Sequence, residues 1–174
     1  MAVKQILSNC KILYGNDSVT IGLRREEIIR DYFHGEILEV TVLDSPGNYD
    51  LYRSYLEGQS LFAVKTAVVM ENPFFLKRPP KDKKEENEFN SFINILKELT
   101  PDTLAIFTVD GALDKRTKAS KTLLSVCGSE ECSLLAPREG ASVMVRMLMD
   151  CGKRVDPEAR AYMEEVIGSW ETIS

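Results

Sequence analysis

The chain has 174 residues, 22 basic and 27 acidic side chains, and a formal net charge of −5. Hydrophobic residues make up 44% and charged residues 28%, which excludes disordered, collagen-like and coiled-coil classes and suits one α/β domain with part of a second. The acidic balance argues against a protein that grips nucleic acid by bulk electrostatics, since that needs a basic face.

Strand and helix signals alternate along the chain. Lys11–Tyr14 is a short apolar run closed by Gly15, as in a buried strand. Asn16, Asp17 and Ser18 then offer side-chain oxygens to the free amides of a helix start. That helix runs to about Phe33 and breaks at Gly35; His34, the only histidine, suits its C-terminus. Ile37, Val40, Val42 and Leu43 predict a second strand, and Tyr52, Tyr55 and Leu56 a helix over Tyr49–Glu57. Thr66–Met70 is a third strand, after which Pro73, Pro79 and Pro80 break the chain across a basic connector, Lys77–Lys84. Phe89, Phe92, Ile93, Leu96 and Leu99 are spaced for an amphipathic helix. Thr103–Val109 predicts a fourth strand, Lys115–Val126 a helix, and Cys132–Leu135 a short fifth strand.

Two helices without strands follow, one carrying Val143 to Leu148 and closed near Gly152, the other opened by Asp156 and Pro157. The expected class is therefore α/β: a five-stranded parallel sheet covered on both faces over residues 1–136, with a small helical second domain beginning at 137–174. No apolar run approaches the ~18 residues of a membrane span, and Met1–Cys10 lacks a signal-peptide pattern, so a cytoplasmic protein with no membrane contact is expected. The four cysteines form no CxxC pair, so reduced thiols and no zinc site are expected.

In such a sheet, ligands sit at the C-terminal ends of the strands. The first strand runs into Gly15-Asn16-Asp17-Ser18-Val19-Thr20-Ile21-Gly22, where a phosphate-binding loop would read GxxxxGK[ST]. Thr20 replaces the second glycine, Ile21 the lysine and Gly22 the hydroxyl residue, so the turn remains without its phosphate chemistry. A diverged nucleotide-binding enzyme placing Asp17, Glu71 and Asp110 around magnesium is the alternative reading. As turn and cap residues, these carboxylates need no metal.

Gln59-Ser60-Leu61-Phe62-Ala63 follows Gly58 between a tyrosine-rich helix and a strand. Large apolar residues are mostly buried, which favours a core role for Leu61 and Phe62. The same pair also suits apolar anchors for a partner's pocket.

Four stretches together resemble the delta subunit family of the bacterial DNA polymerase III clamp loader: Ile12–Asp17, Gln59–Ala63, Val68–Phe75 and Val109–Arg116. The segment Val143–Ile167 is similar to the helical domain that follows in that family. The resemblance implies an AAA+/RecA-like three-layer sandwich with part of a helical lid domain. It implies a subunit without its own catalysis, cofactor or metal, in a DNA-directed DNA polymerase holoenzyme. Leu61 and Phe62 would enter a pocket on the β sliding clamp, flanked by Gln59 and Ser60, and open the ring for loading. The other loader subunits would be partners of the longer family chain, and primed DNA an indirect one. Family chains end in a collar domain, so this sequence is expected to stop within the second domain. No Ser-Arg-Cys motif is present; Ser125-Val126-Cys127 lacks the arginine.

Overall fold

The computed structural model describes residues 6–36, 39–44, 48–58, 65–134 and 137–168. Gln59, Ser60, Leu61 and Phe62, together with Ile37 and Leu135, lie outside the described residues. The chain divides into two compact units, Met1–Cys132 and Ser133–Ser174.

In the first unit the strands are β1 (Leu7–Gly15), β2 (Glu39–Asp44), β3 (Thr66–Glu71), β4 (Thr103–Asp110) and β5 (Cys127–Glu131). They form one sheet in the order β2-β3-β4-β1-β5, every neighbouring pair parallel. Central strands buried on both faces read as continuous apolar runs, which is why β3 and β4 are legible as they stand. Alternation along them builds two cores. Ile12, Val68, Met70 and Phe107 face one side, and Leu13, Val69 and Ile106 the other.

The second of these sides is covered by α1 (Ser18–Tyr32), which buries Ile21 and Ile29, with Phe33 just beyond its end. The first side is covered by α2 (Tyr49–Gly58), α3 (Phe74–Lys77), α4 (Lys83–Glu98) and α5 (Lys118–Val126). Tyr49 stacks on Phe75 at 5.5 Å between ring centroids, and Phe92 meets Phe107 edge-on at 6.2 Å. Such aromatic pairs add to area burial through their quadrupoles. Tyr52 is fully buried in this cluster, and burial pushes its phenol pKa up. Its Oη has no hydrogen-bond partner among the described residues. Asn9 shows the opposite solution: its buried amide donates to the carbonyls of Leu99, Thr100 and Thr103 and ties β1 to the approach of β4.

Three sequence expectations are corrected. The fifth strand lies at Cys127–Glu131, before the apolar Cys132–Leu135 stretch. It is an edge strand with exposed polar residues, so no apolar run marks it. The basic connector expected at Lys77–Lys84 is helical at both ends: Lys77 closes the short helix α3, whose N-cap Pro73 accepts from the Leu76 amide at 3.0 Å, and Lys83 opens α4. Finally, Cys10 and Cys127 are joined as a disulfide, their Cα atoms 4.7 Å apart, because β1 and β5 are neighbours in the sheet. Cys132 is free and buried, and Cys151 free and exposed.

The second unit holds α6 (Pro137–Asp150) and α7 (Pro157–Gly168), packed on each other. Ala141, Val145 and Ile167 are its buried hydrophobic residues among those described. Gly152, at φ 72°, turns the chain after α6, and Asp156 caps α7 by accepting from the Ala159 amide at 2.7 Å.

Candidate functional site

The strand ends that would surround a nucleotide are occupied by the chain's own groups. Asp17 is buried and caps α1: its carboxylate accepts from the Thr20 amide at 3.0 Å and from Thr20 Oγ1 at 2.5 Å. The free amides and positive end of a helix are what bind phosphate in a working loop. Here a carboxylate from the chain already engages them. Ile21, at the lysine position, is 4% exposed and packs in the core beside Leu13, Val69 and Ile106. A lysine there would point into the sheet and not toward a phosphate. Gly22 lies within α1, where an added Cβ would meet nothing within 4 Å, so no close approach demands its glycine. Gly15 is different. Its φ is +152°, and an added Cβ would lie 1.7 Å from the Cys132 carbonyl oxygen. Asn16 sits exposed between Gly15 and the cap.

The other two carboxylates of the enzyme reading are also engaged. Glu71, ending β3, pairs with Arg25 of α1 at 3.0 Å. Asp110, ending β4, accepts from the Asn72 side-chain amide at 2.6 Å, and its own backbone amide donates back to Asn72 Oδ1 at 2.9 Å. Asn72 holds φ 46°, a left-handed backbone that asparagine tolerates better than most residues. Among the described residues no group of three or more His, Cys, Asp or Glu side chains is placed to hold a metal ion. Arg25 has no motif signature and was missed by sequence reasoning, as was the pairing of Asn72 with Asp110. The only signal was an arginine two turns into α1 and an asparagine after a strand.

The described residues on either side of Gln59–Ala63 are anchored in the core. Leu56, on the last turn of α2, is 3% exposed, and Thr66, opening β3, is fully buried. Lys65, just before β3, pairs with Glu36, and its carbonyl accepts from the Glu39 amide at 3.1 Å.

A second surface has the opposite charge to the chain as a whole. Residues 77–86 and 114–121 contain nine basic and four acidic side chains. The acidic ones are used internally. Glu85 is held by Arg78 and by the Lys81 amide, which lower its pKa to about 2. Asp82 caps α4, Glu86 pairs with Lys118 of α5, and Asp114 with Arg116. Lys77, Lys81, Lys83 and Lys121 are exposed, with no carboxylate in salt-bridge range among the described residues.

A parallel sheet in this order, with a strand-to-helix turn after β1 and helices following the sheet unit, defines an AAA+-like α/β protein. Its nucleotide loop is filled from within. Residues 12–131 match the family described as DNA polymerase III, delta subunit, and the chain belongs to that family. No curated protein matches the sequence. Among solved structures, the chain is similar to the Bacillus subtilis DNA clamp loader delta protein (YqeN). The two share 19% identity and a TM-score of 0.64, over 91% of this chain and 47% of that one. It thus spans less than half the length of that protein. It is also similar in fold to the Aeropyrum pernix ORC2 protein at 8% identity and a TM-score of 0.51, over 84% of this chain and 47% of that one. A chain of the E. coli MS115-1 HORMA:CdnC:Trip13 complex matches at 11% identity and a TM-score of 0.55, over 94% and 59% respectively.

Proposed function

We propose that this chain carries the clamp-binding part of a clamp-loader delta subunit. In this reading Leu61 and Phe62 are the anchors that enter a hydrophobic pocket on the β sliding clamp, with Gln59 and Ser60 beside them. The observation that carries it is the family match through residues 12–131, which spans this segment. The burial of Leu56 before this segment and of Thr66 after it supports the reading, since both flanking elements are held in the core. In this reading residues 1–136 act as the AAA+-like domain, and 137–174 belong to the helical domain.

Burying one leucine and one phenylalanine releases about 3–6 kcal/mol of gross transfer free energy. Ring opening follows by population shift: a binder opens a ring only by holding the open form more tightly than the closed one. The subunit itself performs no nucleotide chemistry, because Asp17, Glu71 and Asp110 are each committed to another side chain and Ile21 lies in the core. Other clamp-loader subunits and primed DNA are partners of the longer family protein, in the bacterial cytoplasm. The exposed Lys77, Lys81, Lys83 and Lys121 favour a direct contact with the phosphate backbone beside the clamp.

A clamp ring labelled with a donor and acceptor across one subunit interface tests the opening step. Addition of this chain is expected to lower energy transfer at saturation without ATP. Unchanged transfer at full occupancy would contradict the opener role.

A further inference from the structure

We propose that the turn after β1, where a phosphate would sit in a nucleotide-binding relative, is a latch on the chain's own exit from the first unit. Three backbone contacts define it. The Cys132 amide donates to the Tyr14 carbonyl at 2.7 Å, one residue past the end of β5. The Asp17 amide donates to the Cys132 carbonyl at 3.4 Å. From the other side, the Gly111 amide donates to the Gly15 carbonyl at 2.5 Å. Gly15 is the residue that permits this approach: a Cβ there would stand 1.7 Å from the Cys132 oxygen and 2.5 Å from its carbonyl carbon. Both are backbone atoms, so no side-chain rotation relieves the clash.

Side chains brace the same point. Tyr14 Oη donates to Glu131 at 3.1 Å, and Lys115 lies over the Tyr14 ring at 4.9 Å and 3.7 Å from Glu131. Cys132 is the last residue of the first unit and is buried in the hydrophobic cluster that holds Leu13 and Ile21. The Asp17 amide and the space beside Gly15 are therefore given to residue 132, while the Thr20 amide is taken by the Asp17 carboxylate. In a working nucleotide switch, a ligand decides whether such a segment is held. Here the hold is built in, and nucleotide has no means of releasing it. This inference stands apart from the clamp-binding reading.

The test is the alkylation rate of Cys132 by N-ethylmaleimide, followed by peptide mass spectrometry, with exposed Cys151 as the internal reference. In the parent chain Cys132 is expected to react at least ~100-fold more slowly than Cys151, as for a group reached only by local opening. Adding magnesium and ATP at millimolar concentration is expected to leave both rates unchanged. Gly15→Ala is expected to raise the Cys132 rate by an order of magnitude or more while Cys151 is unaffected. Equal rates in the parent, a nucleotide-dependent rate, or an unaltered rate in folded Gly15→Ala would each overturn the latch. Amide hydrogen exchange in the parent covers the case where Gly15→Ala fails to fold. The Cys132 amide is expected to exchange as slowly as the β1–β5 ladder, and exchange at the rate of an exposed amide would overturn the proposal.

Discussion

Replacing Asp17 by alanine removes the cap of α1 and nothing else of size. The carboxylate accepts two hydrogen bonds, from the Thr20 amide and hydroxyl, and is 3% exposed. Loss of an N-cap costs about 0.5–2 kcal/mol, and the upper end applies here because the buried Asp17 carboxylate makes two hydrogen bonds that alanine cannot replace. An expected loss of about 2 kcal/mol corresponds to a fall in Tm of about 4–8 °C for a chain of this size. Asp17→Asn keeps an acceptor for the Thr20 amide and should lose no more than ~0.5 kcal/mol. Urea denaturation followed by far-UV circular dichroism measures both variants. The same preparations, titrated with a fluorescent ATP analogue, should show no saturable binding, because Ile21 still occupies the lysine position. Parent-like stability in Asp17→Ala would refute the assignment of the carboxylate as the cap. Micromolar nucleotide binding by Asp17→Ala would refute the conclusion that the buried Ile21 disables the loop.

Three further outcomes follow from particular contacts. Tyr52→Phe removes a buried hydroxyl without a partner among the described residues and should raise stability by about 1 kcal/mol, read from the urea midpoint; a loss of that size would mean the hydroxyl is satisfied. The Glu85 carboxylate is held near a pKa of 2, chiefly by Arg78 and then by the Lys81 amide, against an ordinary value of 4.5. Its contribution to stability is therefore complete above about pH 5 and lost as pH falls toward 2, so Glu85→Gln should flatten the decline of Tm across that window. Changing Lys77, Lys81, Lys83 and Lys121 together to alanine should weaken binding to primed DNA and reduce the salt slope of log K by about 3, read by fluorescence anisotropy at several salt concentrations. An unchanged slope would remove these lysines from the DNA contact.

How much of this was legible in the sequence depends on the range of each interaction. β3 and β4 announce themselves because both faces are buried, and α4 because one face is. The broken phosphate loop was equally plain, since Thr20, Ile21 and Gly22 replace residues whose chemistry a phosphate requires. β5 was misplaced because an edge strand is under no pressure to be apolar, whereas the Cys132–Leu135 run looked like one. The Cys10–Cys127 bond joins residues 117 positions apart and exists only because β5 returns beside β1. The same holds for Arg25 with Glu71 and for the contact of Gly15 with Cys132, pairings that the strand order creates and no local pattern records. For Asn72 and Asp110, the sequence showed two turn residues; their mutual hydrogen bonds appear only once β3 and β4 lie side by side.

The central claim is that this chain holds the β sliding clamp through Leu61 and Phe62. It is tested most directly by the affinity of the parent chain and of Leu61→Ala/Phe62→Ala for the clamp of the same bacterium, with Tm measured for both. The account predicts tight binding by the parent and a loss of at least ~100-fold in the double variant, as for two hot-spot anchors, at parent-like Tm. Absence of binding by a well-folded parent would contradict it. So would a double variant that binds normally, or one that loses several degrees of Tm along with its affinity, which would place the pair in the core.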